Sequence, residues 1–163
     1  MLVTDYTTFD EVRAALGVSE DELEDAQLTL PMYEAILQVE LEDIHISLPA
    51  TYQTVQALTT RTDEQNRFVR SARLFATYAM ARQLTTVLPM FSPEQVTDGK
   101  AAVRRTQQDN PYKTTIEAVA REYSRFKKYL EQSFAVINSA SADTAQKVFL
   151  SVVAPASDPI TGG

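Results

Sequence analysis

Glu42 and His45 stand three residues apart in the stretch LEDIHI. On a helix that spacing turns a carboxylate and an imidazole to one side, as in carboxylate-bridged dimetal bundles. Such a centre needs a second pair, and His45 is the only histidine in the chain. With no cysteine either, a zinc site would have to be built from His45 and carboxylates alone, an unusual donor set. No metal centre is expected, and His45 reads as a surface or subunit-contact residue. A serine or threonine nucleophile would have to share this same histidine, and no glycine-rich elbow surrounds any serine. The four glycines (Gly17, Gly99, Gly162, Gly163) form neither a GxGxxG nor a GxxxxGK pattern, which removes the common phosphate-binding loops. The carboxylates from Glu20 to Asp25 read as a solvated first helical turn, favoured by the helix dipole. The chain is therefore expected to be no enzyme and to carry no cofactor.

Basic residues form the other conspicuous group: Lys100, Arg104, Arg105, Lys113, Arg121, Arg125, Lys127 and Lys128. Arg121, Arg125 and Lys128 fall on one helical stripe and make a candidate basic interface, toward another subunit or toward nucleic acid. Sequence-specific DNA binding is disfavoured by a pI near 4.7 and by the lack of a helix-turn-helix or base-stacking signature. The net charge of -7 is unevenly spread. Residues 1 to 49 hold twelve acids and one base, Arg13, whereas residues 61 to 131 hold thirteen bases and eight acids. Two uses of that asymmetry stay open: the halves pack on each other, or the acidic part of one copy faces the basic part of the next, a head-to-tail geometry that can close into a ring.

The elements that must position these groups are mostly helices. A chain of 163 residues, 44% hydrophobic and 23% charged, is one globular domain able to bury a core. No apolar run approaches a bilayer span, and the start MLVTDYTTFDEV lacks the marks of a signal peptide, so a soluble, intracellularly assembled protein is expected. Capping-box patterns at Thr8–Glu11, Ser19–Glu22 and Thr62–Gln65 mark three helix starts, and Ser92-Pro93 marks a fourth. Gly17 ends the first short helix, and a second begins near Ser19. Pro31 opens a helix carrying Leu30, Tyr33, Leu37, Leu41, Ile44 and Leu48 at spacings of three and four, ending before Pro49. Residues 50 to 61 read as a short helix or loop. Asp63 to Leu88 is the first long helix, with Phe68, Ala72, Phe75, Ala79 and Leu84 toward the core and small residues permitting close approach. Lys100 to Gln108 reads as a surface helix, and Tyr112 to Asn138 as a second long helix with Ile116, Val119, Tyr123, Phe126, Leu130, Phe134 and Ile137 in a heptad-like stripe. The expected fold class is all-α, a helical bundle built on two long antiparallel helices over residues 1–140, with an extended C-terminal arm over 141–163.

That arm is expected from KVFLSVVAPASDPITGG. Val148, Phe149, Leu150, Val152 and Val153 favour extended structure, and Pro155 and Pro159 forbid helix. An unpaired strand in a helical protein would add to a neighbouring chain, lie over its own helices, or stay disordered; strand addition is the favoured reading.

Taken together, FDEVRAALGV, SEDELED, the connection LPMFSPEQVTDGK, a long charged helix and a C-terminal DPITG resemble the head-tail connector, or adaptor, proteins of tailed bacteriophages. The resemblance covers nearly the whole chain. It implies a structural virion protein of the neck, assembled in the host cytoplasm into a homo-oligomeric ring, commonly of twelve copies. The ring would sit beneath the portal, continue the DNA channel so that genomic DNA passes without sequence-specific binding, and dock the downstream tail or nozzle protein. Phe149, Leu150, Val152 and Val153 would form an arm engaging the portal or a neighbouring subunit, with Pro155, Pro159 and Ile160 shaping its end. No catalytic residue transfers, because the family has none. The alternative is a small helical regulatory or nucleic-acid-binding module using the basic second long helix.

Overall fold

The computed structural model describes the backbone of residues 2–86, 95–98, 101–104 and 112–153, and side chains within 3–86 and 112–139. Seven helices and one hairpin follow in order: α1 (Leu2–Tyr6), α2 (Phe9–Leu16), α3 (Asp25–Leu28), α4 (Pro31–Ile44), α5 (Leu48–Gln56), α6 (Asp63–Leu84), β1 (Gln95–Asp98), β2 (Ala101–Arg104) and α7 (Lys113–Val153). The described chain is mainly helical, so the all-α class holds.

Helix starts follow the local chemistry closely. The Thr8 hydroxyl accepts from the Glu11 amide at 3.2 Å while the Glu11 carboxylate accepts from the Thr8 amide at 3.0 Å. The same reciprocal pair joins Thr62 and Gln65 at the head of α6. The Thr8 amide, with Thr7 and Arg73 nearby, holds the Glu11 carboxyl below its ordinary pKa. Pro31 stands in the first turn of α4, where its missing N–H costs nothing. Gly17 closes α2 with φ +70°, a left-handed conformation that a side chain would strain.

α6 is the central element. It contacts α1, α2, α4 and α5, and makes its most extensive contact with α7. Phe68, Ala72, Phe75, Ala76, Ala79, Met80 and Ala81 are all buried, so apolar residues occupy more than one face of this helix. Alanines there let neighbours approach closely. Along the seam with α7, the Phe68 ring lies 5.9 Å from Phe134, the Ser71 and Ser133 hydroxyls bond at 2.7 Å, and Tyr78 stacks on Phe126 at 5.3 Å. On the far side, Thr7 and Thr77 share a buried hydrogen bond of 2.7 Å, and Tyr6 stacks on Tyr52 at 4.0 Å.

Several expectations are corrected. No helix starts at Ser19; residues 20–22 form a turn, and only the four-residue α3 follows. The reason lies in Arg13, which is buried: its Nε donates to the Leu23 carbonyl at 2.8 Å and its guanidinium pairs with Asp10 and Asp25, bending the chain so that Leu23 and Leu28 reach the core. The helix expected to run to Pro49 ends at Ile44, and Pro49 lies in the first turn of α5. The first long helix ends at Leu84 rather than Leu88, and Ser92-Pro93 lies outside the described residues. Within the expected surface helix over Lys100 to Gln108, Ala101–Arg104 is instead a strand, pairing antiparallel with β1 in the register Asp98 to Ala101 and Gln95 to Arg104. Gly99-Lys100, the two residues between the runs, is a Gly-X pair, the hairpin signal that the helical reading passed over.

The last correction concerns the C-terminal segment. α7 continues to Val153, so Phe149, Leu150, Val152 and Val153 have helical rather than extended backbone. β-propensity is a weak preference for a half-buried pleated surface, and since the described strands β1 and β2 pair only with each other, the run propagates the helix. Pro155, Pro159 and Ile160 lie outside the described residues.

Replacing Arg13 by alanine is expected to cost about 1–3 kcal/mol, the penalty for stranding a buried carbonyl, here that of Leu23. Urea unfolding followed by circular dichroism measures it. A variant as stable as the parent would show that the Arg13 contacts do not hold the α2–α3 turn.

Candidate functional site

α4 has apolar residues on two faces. Tyr33, Leu37 and Leu41 point into the core, while Met32, Ala35, Ile36 and Val39 form an outward stripe at spacings of three, one and three. Met32 is 55% exposed and Val39 64%. This stripe lines an open groove of about 560 Å³ whose polar end is made by Glu40, Asp43, Arg82, Tyr123 and Lys127. Within it the Tyr123 hydroxyl donates to Glu40, Arg82 lies 3.7 Å from the same carboxylate, and its guanidinium sits 4.5 Å above the Tyr123 ring. Lys127 pairs with Asp43 at 3.2 Å. Burial, then the Glu40 carboxylate that accepts its hydrogen bond, push the Tyr123 phenol up to about 12.

A second groove, of about 350 Å³, runs between α6 and α7. Leu74, Tyr129 and Val136, 36%, 42% and 48% exposed, supply its apolar surface with Phe126. Arg67 and Arg70 stand along it and make no ion pair among the described residues. Arg125 lies over Tyr129 and Phe126, at 5.5 and 5.8 Å from their ring centroids. Counting 100° per residue around α7, the residues of the two grooves lie roughly 140° apart, on opposite sides of the helix.

The expected basic interface is present as a surface feature. Arg121, Arg125 and Lys128 are all exposed on one stripe of α7. Their free charge is unequal: Arg121 and Arg125 both approach Glu122, at 3.8 and 3.3 Å, while Lys128 has no ion pair among the described residues. The acidic N-terminal region partly neutralises the basic helices within one chain, through Glu11 with Arg73, Glu40 with Arg82 and Asp43 with Lys127.

The helical pairing of Glu42 with His45 does not form. His45 lies beyond the end of α4 with φ −166°, off the helical face that would pair it with Glu42. Its Nδ1 accepts from the Ser47 amide at 3.2 Å and bonds the Ser47 hydroxyl at 2.9 Å, and its ring lies 5.0 Å from Phe134. Among the described residues no group of three or more histidine, cysteine or acidic side chains is placed to hold a metal ion. Nor is any described helix long and apolar enough to cross a membrane. Phe149, Leu150, Val152 and Val153 lie in the final turns of α7, and the remaining candidates of that segment fall outside the described residues. Sequence reasoning missed the outward stripe of α4. Its signal is present in the spacing of Met32, Ala35, Ile36 and Val39, beside the longer stripe of Tyr33, Leu37 and Leu41 on the opposite face of the same helix. No family model, curated protein or solved structure matches this chain.

The raised phenol of Tyr123 makes a pH prediction. A folded pKa of about 12 against roughly 10 unfolded means that the folded state keeps its proton while the unfolded chain loses it. The stabilisation is whole below pH ~10 and is lost as pH rises toward ~12, at up to about 1.4 kcal/mol per pH unit. Unfolding curves of the parent and Tyr123→Phe across that window should converge as pH rises. Parallel curves would count against the strained titration, and Glu40→Gln should bring the Tyr123 absorbance midpoint down.

Proposed function

We propose that this chain is a structural subunit of a tailed-bacteriophage neck, a head-tail adaptor acting by assembly and not by catalysis. In this reading it stands in a homo-oligomeric ring of twelve copies beneath the portal protein, continues the DNA channel, and docks the downstream tail or nozzle protein. The observation that carries the reading is the pair of uncovered apolar grooves on opposite sides of a small helical bundle. Exposed apolar surface of that kind marks interaction sites in soluble proteins. The resemblance of FDEVRAALGV, SEDELED and the helical connection to connector proteins supplies the particular assembly.

In finer detail, α6 and α7 are the two long antiparallel helices of the bundle, a sense supported by contacts that pair Phe68 with Phe134 but Arg82 with Tyr123. Residues 147–163 are the attachment segment. Phe149, Leu150, Val152 and Val153 meet the portal or an adjacent subunit as the end of a helix, and Pro155, Pro159 and Ile160 redirect the chain beyond it. The described core around α6 is built from residues within 3–84 and 119–137, so removal of the segment is expected to leave the bundle intact. A nucleic-acid-binding module is the second reading, favoured by the solvent-facing stripe of Arg121, Arg125 and Lys128.

Deleting residues 147–163 is expected to abolish co-sedimentation with portal-bearing capsids while the helical circular dichroism of the bundle persists. Undiminished attachment would remove the docking role of the segment. The second reading is separated by filter binding: changing Arg121, Arg125 and Lys128 together to glutamine should leave DNA retention unaltered for an adaptor. A salt-sensitive retention that these changes abolish would favour the DNA-binding module instead.

A further inference from the structure

His45, the single histidine of the chain, stands in the turn between α4 and α5 with its side chain exposed to solvent. Imidazole is the side chain that ordinarily changes charge between pH 5 and 8. The backbone of His45 ties the two helices together: its amide donates to the Leu41 carbonyl at 3.2 Å, and its carbonyl accepts from the Leu48 amide at 2.9 Å. The ring adds a third bond, accepting at Nδ1 from the Ser47 amide at 3.2 Å. That amide has no other hydrogen-bond partner among the described residues. A backbone N–H can only donate, so the bond makes Nδ1 an acceptor and leaves the proton of the neutral ring on Nε2. The Ser47 hydroxyl, 2.9 Å from the same nitrogen, can turn and either donate or accept.

We propose that His45 is a proton-operated latch on the α4–α5 turn. Neutral, it holds the Ser47 amide. Once Nδ1 takes up a proton from water it becomes a donor, transfers its hydrogen bond to the Ser47 hydroxyl and releases the amide, which has nothing left to donate to. The ring keeps its place 5.0 Å from Phe134, because an aromatic ring within about 6 Å attracts a cation. No ion pair among the described residues captures the new charge. On α4, Glu42 accepts from Gln38 and Asp43 pairs with Lys127 of α7; α5 carries no charged residue, and Glu131, one turn before Phe134 on α7, makes no bond to the ring. Ile46, 75% exposed, stands between His45 and Ser47, so the latch governs the tip that presents this apolar side chain to solvent. The bonds from the Leu48 amide to the His45 carbonyl and from the Thr51 amide to the Ser47 carbonyl do not involve the ring, so α4 and α5 persist in both states. The latch is independent of the assembly reading above.

Nitrogen-15 NMR of the full chain tests it directly, since one histidine gives one imidazole pattern. At pH 8 the ring is expected as the Nε2–H tautomer. Lowering the pH to 5 should shift the Ser47 amide signal with the same midpoint as the ring nitrogens. Hydrogen exchange at Ser47, corrected for its intrinsic pH dependence, should become about tenfold faster, the factor that one ordinary hydrogen bond supplies. The Thr51 amide should keep its protection. In His45→Phe, which retains a ring beside Phe134 but no acceptor, the Ser47 amide should be equally open at both pH values, with circular dichroism confirming the fold. An Nδ1–H tautomer at pH 8, equal protection of Ser47 at pH 5 and pH 8, an equal loss of protection at Thr51, or a pH response that survives His45→Phe would each overturn the latch.

Discussion

A 22-residue helix, α6, has to be buried on several sides at once, and most of the remaining structure follows from that requirement. It touches α1, α2, α4 and α5 on some faces and α7 on another, so no neighbour can be moved without uncovering it. Small side chains make this feasible. Ala72, Ala76, Ala79 and Ala81 let helix backbones come close, and Phe68, Phe75 and Met80 fill the spaces between. Polar groups on the buried faces are paired across elements, Ser71 with Ser133 and Thr77 with Thr7, so burial leaves these hydroxyls satisfied. Such pairs also select register, because sliding α7 by one turn would separate the two serines.

Charge follows a different logic from packing. Glu11 with Arg73, Glu40 with Arg82 and Asp43 with Lys127 join the acidic N-terminal region to the basic helices within one chain. In each pair at least one side chain is about half exposed or more, which limits what it contributes to stability. Their consequence is for what is left over. Arg67, Arg70 and Lys128 keep unpaired charge among the described residues, and the first two stand beside an apolar groove.

Local chemistry was legible wherever a residue acts on its immediate neighbours. Thr8, Gly17, Pro31 and Thr62 mark helix ends through hydrogen bonds or φ values that span three or four residues, and the structure places each in that role. The core stripe of α6 and the positions Val119, Tyr123, Leu130, Phe134 and Ile137 of α7 were equally readable, because a periodicity of 3.6 survives into the fold. The misreadings share another cause. Ser19 and Glu22 carry a helix-start pattern, yet the buried guanidinium of Arg13 bends the chain there through partners ten and twelve residues away. The apolar run ending at Val153 has strand composition, but the described strands pair only with each other, and its backbone continues the helix.

The sequence by itself determined the class of the fold, the starts of α2, α4, α6 and α7 and the end of α2, the faces that α6 and α7 turn inward, and the segregation of acidic from basic residues along the chain. Each of these depends on interactions within about one or two helical turns, or on composition alone. Tertiary structure decided that α4 would bury one apolar face and leave the other uncovered, that Tyr123, Arg82 and Glu40 would meet, and that two unlike grooves would lie on opposite sides of α7. The physical reason is that an amphipathic pattern states which residues prefer burial, whereas only the arrangement of neighbouring helices determines how many such faces can be covered.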